Sequence, residues 1–155
     1  KRQREYAPGT KIAYDPALVA RLKSRHVELT GLYKELVAHE RNADLSAVTE
    51  SLREFGSLLE RHRLEENLRL YLYLDKCLAQ QPAEGKRVDD IKRDMESMGR
   101  RISELVRRYE KEGVNGGNLR MFRDDLEWIG TALDKRIKRE ESSLYTLYRP
   151  PHAYA

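Results

Sequence analysis

Apolar residues recur at alternating steps of three and four in four long stretches of the sequence. This spacing places them on one face of an α-helix, and the intervening positions are mostly charged. Short segments containing Gly, Pro, Asn or Asp separate the stretches. Helices joined by such short loops must run antiparallel to their neighbours. We therefore predict an all-α fold, an antiparallel up-down-up-down four-helix bundle.

The boundaries of the first two helices follow from local start and stop signals. Asp15 and Pro16 supply an N-cap and a proline in the first turn, so the first helix is expected to run from Pro16 to about Arg41. After a short connection, the second apolar seam begins at Leu45 and continues to about Gln80. The second helix is therefore predicted to be the longer of the two.

The third and fourth helices are bounded by proline and glycine. A loop is expected at 82–87, followed by a third helix that ends at the glycine-rich stretch 113–117. Asn118 is the expected cap of the fourth helix, which ends before 150–151, a pair of prolines.

Outside the bundle, the two ends of the sequence lack helical periodicity. Residues 1–14 contain Pro8 and Gly9 and are predicted to form an extended N-terminal arm. The resulting division is an arm at 1–14, a four-helix bundle at 15–149 and a C-terminal tail at 150–155.

Composition and charge narrow the class of protein. The chain has 155 residues, 36% charged and 39% hydrophobic, with 30 basic and 26 acidic side chains and a net charge of +4. The two signs alternate along the helices, which favours solvated helix faces and disfavours nucleic-acid binding. One cysteine, Cys77, precludes an intrachain disulfide, and no apolar run is long enough for a membrane span. These features favour a cytoplasmic protein.

Polar side chains interrupt three of the four apolar seams. His26 interrupts the first, His62 and Glu66 the second, and Arg136 and Glu140 the fourth. A charged or imidazole group in a bundle core costs several kcal/mol unless it is paired or binds a metal. In an antiparallel bundle the five residues reach comparable depths, so we expect them to meet in one central pocket.

This arrangement resembles the hemerythrin-like, or HHE cation-binding, family over residues 16–148. The similarity is best in ARLKSRHVEL around His26, in LERHRLEENLRLYLYL around His62 and Glu66, and in LDKRIKREESSLYTLY of the fourth helix. The family binds two irons with a histidine from helix one, a His-x-x-x-Glu pair from helix two, a histidine from helix three, and a histidine and carboxylate from helix four.

The resemblance implies an incomplete ligand set. His26, His62, Glu66 and Glu140 correspond to ligands, with Glu141 as the alternative carboxylate of helix four. Where the family has histidine, helix three offers Met95 and helix four offers Arg136. A thioether is a poor ligand for iron and a guanidinium repels cations. Met95, Glu141 and Tyr33 are expected to line the pocket.

Three states of the pocket follow. Arg136 could replace the metal and bridge Glu66 and Glu140 by forked hydrogen bonds. The two histidines and two glutamates could instead hold one metal ion, or the family's two irons could be retained. The expected cofactor is accordingly none or iron, with one ion favoured over two.

The functional expectation is a non-catalytic binding or sensing bundle with a degenerate metal site. No Ser-His-Asp set, Cys-His pair or phosphate-binding glycine loop is present, so an enzyme is not predicted. A small diatomic ligand is expected only if metal binds. The alternative is a regulator that binds a protein partner, since LREFGSLLERH and FRDDLEWIGTALDKRIKREESSLY also resemble the Rsd/AlgQ family, which binds a sigma factor through a helix face.

Overall fold

The computed structural model describes residues 4–154 of the chain and consists almost entirely of helix. Its α-helices are α1 (Leu18–Arg41), α2 (Leu45–Glu65), α3 (Leu72–Cys77), α4 (Pro82–Glu112) and α5 (Leu119–Arg139). Two π-helical segments, Glu66–Tyr71 and Glu140–Leu144, extend α2 and α5, and 3₁₀ turns lie at Tyr145–Leu147 and Pro151–Tyr154.

These elements form four long helices. The segment from α2 through the first π-helical segment to α3 is one continuous helix, which we call the second long helix. With α1, α4 and α5 it makes an all-α four-helix bundle, which confirms the predicted fold class.

The start of α4 corrects one sequence-based boundary. Residues 82–87 do not form a loop, because α4 begins at Pro82. Gln81 has a non-helical backbone and occupies the N-cap position, and its backbone carbonyl accepts from the Gly85 amide at 2.9 Å. Proline is well suited to the first helical turn because its missing N–H would be unpaired there in any case. The proline therefore starts a helix where it was expected to mark a loop.

Two predicted caps also act differently from expectation. Asp15 accepts a hydrogen bond from the Ala17 amide at 2.9 Å, so it stabilises the turn before α1, which begins at Leu18. Asn118 makes no side-chain cap bond to α5. Its side-chain Nδ2 instead donates to the Gly113 backbone carbonyl at 2.8 Å. Its side-chain Oδ1 accepts from the Asn115 backbone amide. Asn118 thus ties the glycine-rich loop together.

The apolar core consists of two clusters at opposite ends of the bundle. One contains the C-terminal half of α1 and the N-terminal half of α2, with Leu36 and Leu52 fully buried. The other contains the start of α1 and the residues after Glu66, with Leu22 and Leu70 fully buried. Between the clusters lies a buried layer of polar side chains, consisting of His26, His62, Glu66, Arg136 and Glu140.

The predicted arm and tail both pack on the second cluster. An antiparallel bridge joins Tyr6 to Ala13, and the Tyr14 ring stacks on Tyr148 with centroids 4.9 Å apart. Tyr154 is buried, and its carbonyl accepts from Gln81. Residues 1–3 of the predicted arm and residue 155 of the predicted tail lie outside the described part of the chain. None of the described helices has the length and apolar character that a membrane crossing needs.

Candidate metal centre

The buried polar layer brings together all five residues that interrupt the apolar seams. His62, Glu66 and Glu140 have no exposed surface, and His26 and Arg136 are each 3% exposed. They come from α1, from the second long helix and from the fourth helix, so the cluster joins three helices at one depth. Placing this many polar groups between two apolar clusters is costly unless each finds a partner.

Each carboxylate begins a π-helical segment. Glu66 is the first residue of one segment and Glu140 is the first residue of the other. In a π-helix the amide bonds to the carbonyl five residues earlier, and the Tyr145 amide indeed donates to the Glu140 carbonyl. The wider turn places Tyr145 on the same face as Glu140. An uninterrupted α-helix would direct a residue five positions later away from the core.

His26 contacts the cluster through one nitrogen and the edge of the bundle through the other. Its Nε2 lies 3.1 Å from Glu140 Oε1 and 3.1 Å from the Tyr145 hydroxyl. Its Nδ1 lies 2.7 Å from Glu141 Oε2. A carboxylate at this distance accepts a hydrogen bond, so Nδ1 carries a proton and Nε2 is the nitrogen directed at the cluster.

His62 is enclosed but poorly satisfied. Its Nε2 lies 3.3 Å from Glu66 Oε1 and 3.9 Å from Glu140 Oε1. Neither ring nitrogen, however, has a hydrogen-bond partner of suitable geometry among the described residues, and the same holds for Glu140 Oε2. The His62 ring lies 4.8 Å from that of His26, centroid to centroid. Buried polar atoms without partners mark the positions at which a bound group would be stabilised.

Arg136 lies between the two carboxylates. Its Nη2 donates to Glu66 Oε1 at 2.8 Å and its Nε donates to Glu140 Oε1 at 3.2 Å. Its Nη1 points at the Met95 carbonyl oxygen, 3.5 Å away. The guanidinium therefore offsets part of the negative charge of the cluster.

The two carboxylates differ in their preference for a proton. Burial and the neighbouring Glu140 carboxylate raise the pKa of Glu66 well above its ordinary value. Burial also disfavours the ionised form of Glu140. Even so, the Arg136 guanidinium and a hydrogen bond from Glu66 hold the pKa of Glu140 well below its ordinary value. Without a bound cation, the pair therefore carries its proton on Glu66 and its charge on Glu140.

Two further titratable side chains at the site, those of His62 and Tyr145, are held in their neutral forms. Burial lowers the pKa of His62, because the protonated ring would be desolvated. Burial and the adjacent Glu66 and Glu140 carboxylates raise the pKa of Tyr145. Its hydroxyl donates to Glu66 Oε2 at 2.8 Å, so Tyr145 remains protonated and orients that carboxyl group.

Of the three expected lining residues, two lie at the site. Met95 is buried and contributes its carbonyl oxygen, and Glu141 bonds to the outer nitrogen of His26 while remaining about one-third exposed. Tyr33 lies elsewhere. Its hydroxyl donates to the Leu126 carbonyl at 2.9 Å, and it packs against the other apolar cluster. Tyr33 therefore contacts the backbone of α5 beside the first apolar cluster and does not line the polar layer.

Two tyrosines at the site were not among the predicted site residues. Tyr145 bonds to Glu66, and Tyr71 is buried beside Glu66 with its hydroxyl unpartnered among the described residues. Each stands five residues after a site carboxylate, at positions 71 and 145. This repeated spacing of five residues is visible in the sequence. It places a tyrosine on the same helix face as its carboxylate only where the helix is π-helical.

The donor set fits one metal ion. His26, His62, Glu66 and Glu140 each present a ligand atom, and these atoms lie within 4.8 Å of one another. Two imidazole nitrogens and two carboxylate oxygens suit a first-row transition metal. A second ion does not fit this set, since Arg136 already bonds to both carboxylates and would repel it.

The space beside the cluster is small. A cavity of about 10 Å³ adjoins Glu66 and Arg136, with Tyr71 and Met95 on its walls. This volume is about that needed for one water molecule. The interior next to the ligand atoms therefore excludes an organic molecule.

Comparison with known proteins identifies the family of the chain. Residues 17–148 match the hemerythrin HHE cation-binding domain. The chain matches no curated protein and no solved structure at a significant level. Hemerythrin-like domains are generally binding or sensing domains without catalytic activity. The match spans the whole bundle, including every residue of the buried polar layer, and the chain therefore belongs to the hemerythrin HHE cation-binding family.

Proposed function

We propose that the bundle is a non-catalytic binding or sensing domain that holds one transition-metal ion. The proposed metal is iron. The ligands are His26 Nε2, His62 Nε2 and one oxygen each from Glu66 and Glu140. The observation that carries the proposal is the convergence of these four ligand atoms within 4.8 Å in a fully buried layer. Iron accepts both imidazole and carboxylate ligands.

The orientation of His26 supports this assignment. Because Nδ1 is taken up by the hydrogen bond to Glu141, Nε2 is the nitrogen left to act as a ligand, and it faces the Glu140 carboxylate at 3.1 Å. Two electron-rich atoms at that distance need a cation or a proton between them. A carboxylate on the outer nitrogen of a ligating histidine is the usual support of a metal site, because it fixes the tautomer and the ring orientation.

Charge balance accounts for Arg136. With both carboxylates ionised, the layer carries two negative charges against the one positive charge of the guanidinium. A single divalent cation would leave a net charge of about +1, whereas two would leave about +3 in a water-poor interior. Arg136 thus substitutes for the second ion of the family and limits the site to one.

Proton release should accompany metal binding. Glu66 holds a proton in the metal-free cluster, since its pKa is raised by burial and by Glu140. The carboxylate must lose that proton to act as a ligand, so affinity is expected to rise with pH. A bound iron would supply a coordination position for a small diatomic ligand.

The test is the metal content of the whole chain purified without chelator. We expect about one iron per chain, lost in His62→Ala and retained in His152→Ala, which alters an exposed histidine outside the site. Folding of both variants is checked by circular dichroism. A ratio near two would contradict the role of Arg136. Absence of metal, with no metal taken up on titration with ferrous iron, would instead favour a pocket neutralised by Arg136 alone.

A further inference from the structure

Three leucines form an exposed ridge on the outer face of the second long helix. Leu64 is 58% exposed, Leu68 is 53% exposed and Leu72 is 43% exposed. The side chains of His62, Glu66 and Leu70 point inward from the same stretch of helix. Large apolar residues are more often scattered singly on a surface, so a row of three calls for an explanation.

The π-helical segment keeps the ridge straight. In an ideal α-helix, residues spaced by four drift around the axis by about 40° per step. Between Glu66 and Tyr71 the helix is wider, with hydrogen bonds to the carbonyl five residues earlier. Residues spaced by four are therefore more nearly in line there, and the three leucines run parallel to the helix axis.

The N-terminal arm adds a groove beside the ridge. The groove, of about 610 Å³, is lined by Leu68, by Tyr6, Ile12 and Ala13 of the arm, and by the basic side chains of Arg4, Lys11 and Arg69. Tyr6 is 44% exposed. The ridge and the groove together offer a protruding row and an adjacent depression, which is the shape that one helix needs to receive another.

Charged residues flank the ridge with a symmetry that fits a second copy of the chain. Arg61 lies seven residues before Leu68 and Asp75 lies seven residues after it, both on the exposed side of the helix. Neither forms an ion pair with another residue in the range 4–154. Reversing the direction of the helix about Leu68 exchanges Leu64 with Leu72 and Arg61 with Asp75. These four positions are therefore complementary to one another when the helix is turned end to end.

We propose that this face is a self-association surface, on which two copies of the chain pack their second long helices antiparallel about a two-fold axis at Leu68. Leu64 then faces the partner's Leu72, and Arg61 faces the partner's Asp75, each contact occurring twice. Such isologous pairing is the commonest form of homodimer. A stable interface covers about 800 Å² per partner, so the flanking positions of the second long helix take part together with the ridge.

The first measurement is the mass of the whole chain in solution, by sedimentation equilibrium between about 1 and 200 μM. We expect a dimer that Leu68→Asp converts to monomer, because the substitution buries two carboxylates at the axis. Val27→Asp is the matched control, since Val27 is a single exposed apolar residue on α1, 74% exposed. It should leave the dimer intact. A wild-type chain that is monomeric throughout, or a dimer unaffected by Leu68→Asp, would overturn the proposal.

Charge exchange provides a second measurement that does not alter the apolar ridge. Arg61→Asp alone sets two pairs of carboxylates opposite each other, and Asp75→Arg alone does the same with cations. Each single variant should weaken the dimer by about tenfold. The double variant Arg61→Asp/Asp75→Arg should regain the wild-type dissociation constant within about threefold. A double variant as weak as the sum of the two single variants would exclude the antiparallel register, and a heterologous partner on this face would leave all variants monomeric.

Discussion

Glu66 and Glu140 reach the same guanidinium from two different helices, each accepting a hydrogen bond from Arg136 through its Oε1 atom. Despite this shared partner, the pKa of Glu66 is raised and that of Glu140 is lowered. The reason is that two adjacent buried carboxylates cannot both ionise against a single cation. The two residues are therefore chemically unequal in the metal-free protein.

Because the two pKa values are shifted in opposite directions, replacing each glutamate by glutamine should lower the free energy of unfolding by different amounts. Glu66→Gln replaces a carboxyl group that is already neutral and should lower the free energy of unfolding by about 1 kcal/mol or less. Glu140→Gln removes the ionised partner of Arg136 and should cost about 3 to 5 kcal/mol, since a buried guanidinium loses its main counterion. Urea unfolding at neutral pH with chelator present measures both. Equal costs would show that the proton is shared evenly between the two carboxyl groups.

The number of metal ions should change when the two departures from the family pattern are reversed. Met95→His combined with Arg136→His supplies an imidazole from helix three and another from helix four, and removes the repelling guanidinium. We expect the iron content to rise from about one to about two ions per chain. Met98→His with Arg136→His is the matched control, because Met98 is only half-buried and one turn away. A ratio that stays at one in the first variant would mean that Arg136 does not set the stoichiometry.

Acid should destabilise the metal-free protein through His62. Burial lowers the pKa of His62 in the folded state below its ordinary value of 6.5, so the unfolded chain takes up this proton first. The stability contribution is fully present above pH 6.5 and is lost as the pH falls towards the folded-state pKa. The slope approaches about 1.4 kcal/mol per pH unit for one proton. Chemical unfolding between about pH 7 and 5 should show this slope in the wild type and a smaller one in His62→Gln.

Gly130 allows α1 and α5 to approach each other. A Cβ atom at this position would lie 2.2 Å from the Tyr33 hydroxyl and 2.5 Å from its ring. Gly130→Ala should therefore destabilise the bundle by about 1 to 3 kcal/mol, although alanine favours helix. Gly31→Ala is the control, because no atom lies within 4 Å of its Cβ position, and it should stabilise the protein by up to about 1 kcal/mol. Thermal unfolding measures the stability of both variants. Adding Tyr33→Leu to Gly130→Ala should restore part of the lost stability, because it removes the clashing hydroxyl.

The number of helices, their direction and the depth of the polar layer could be predicted because each depends on spacing alone. His26, His62 and Glu140 stand at positions where a leucine would continue the seam, so periodicity was sufficient to direct them inward. The loop expected at 82–87 was wrong because proline is compatible with a first helical turn as well as with a loop.

Tyr145 could not be found in this way. At α-helical spacing it lies off the face of Glu140, and only the widened turn at Glu140–Leu144 brings its hydroxyl to Glu66. The π-helical segments depend on tertiary packing, which satisfies the backbone bonds that a local sequence leaves open. The contact partner of Tyr33 was likewise set by the close approach of α5 at Gly130.

The widened turns at Glu66–Tyr71 and Glu140–Leu144 each contain one residue more than an α-helical path would need. Excising a single residue from either turn would restore regular α-helix there and rotate everything beyond it by about 100°. For the first turn, the rotation would swing Leu70 and Tyr73 out of the core and bring the leucine at position 72 inward. The one extra residue in the turn at Glu66 therefore determines which side chains of the second long helix face the core beyond the buried polar layer.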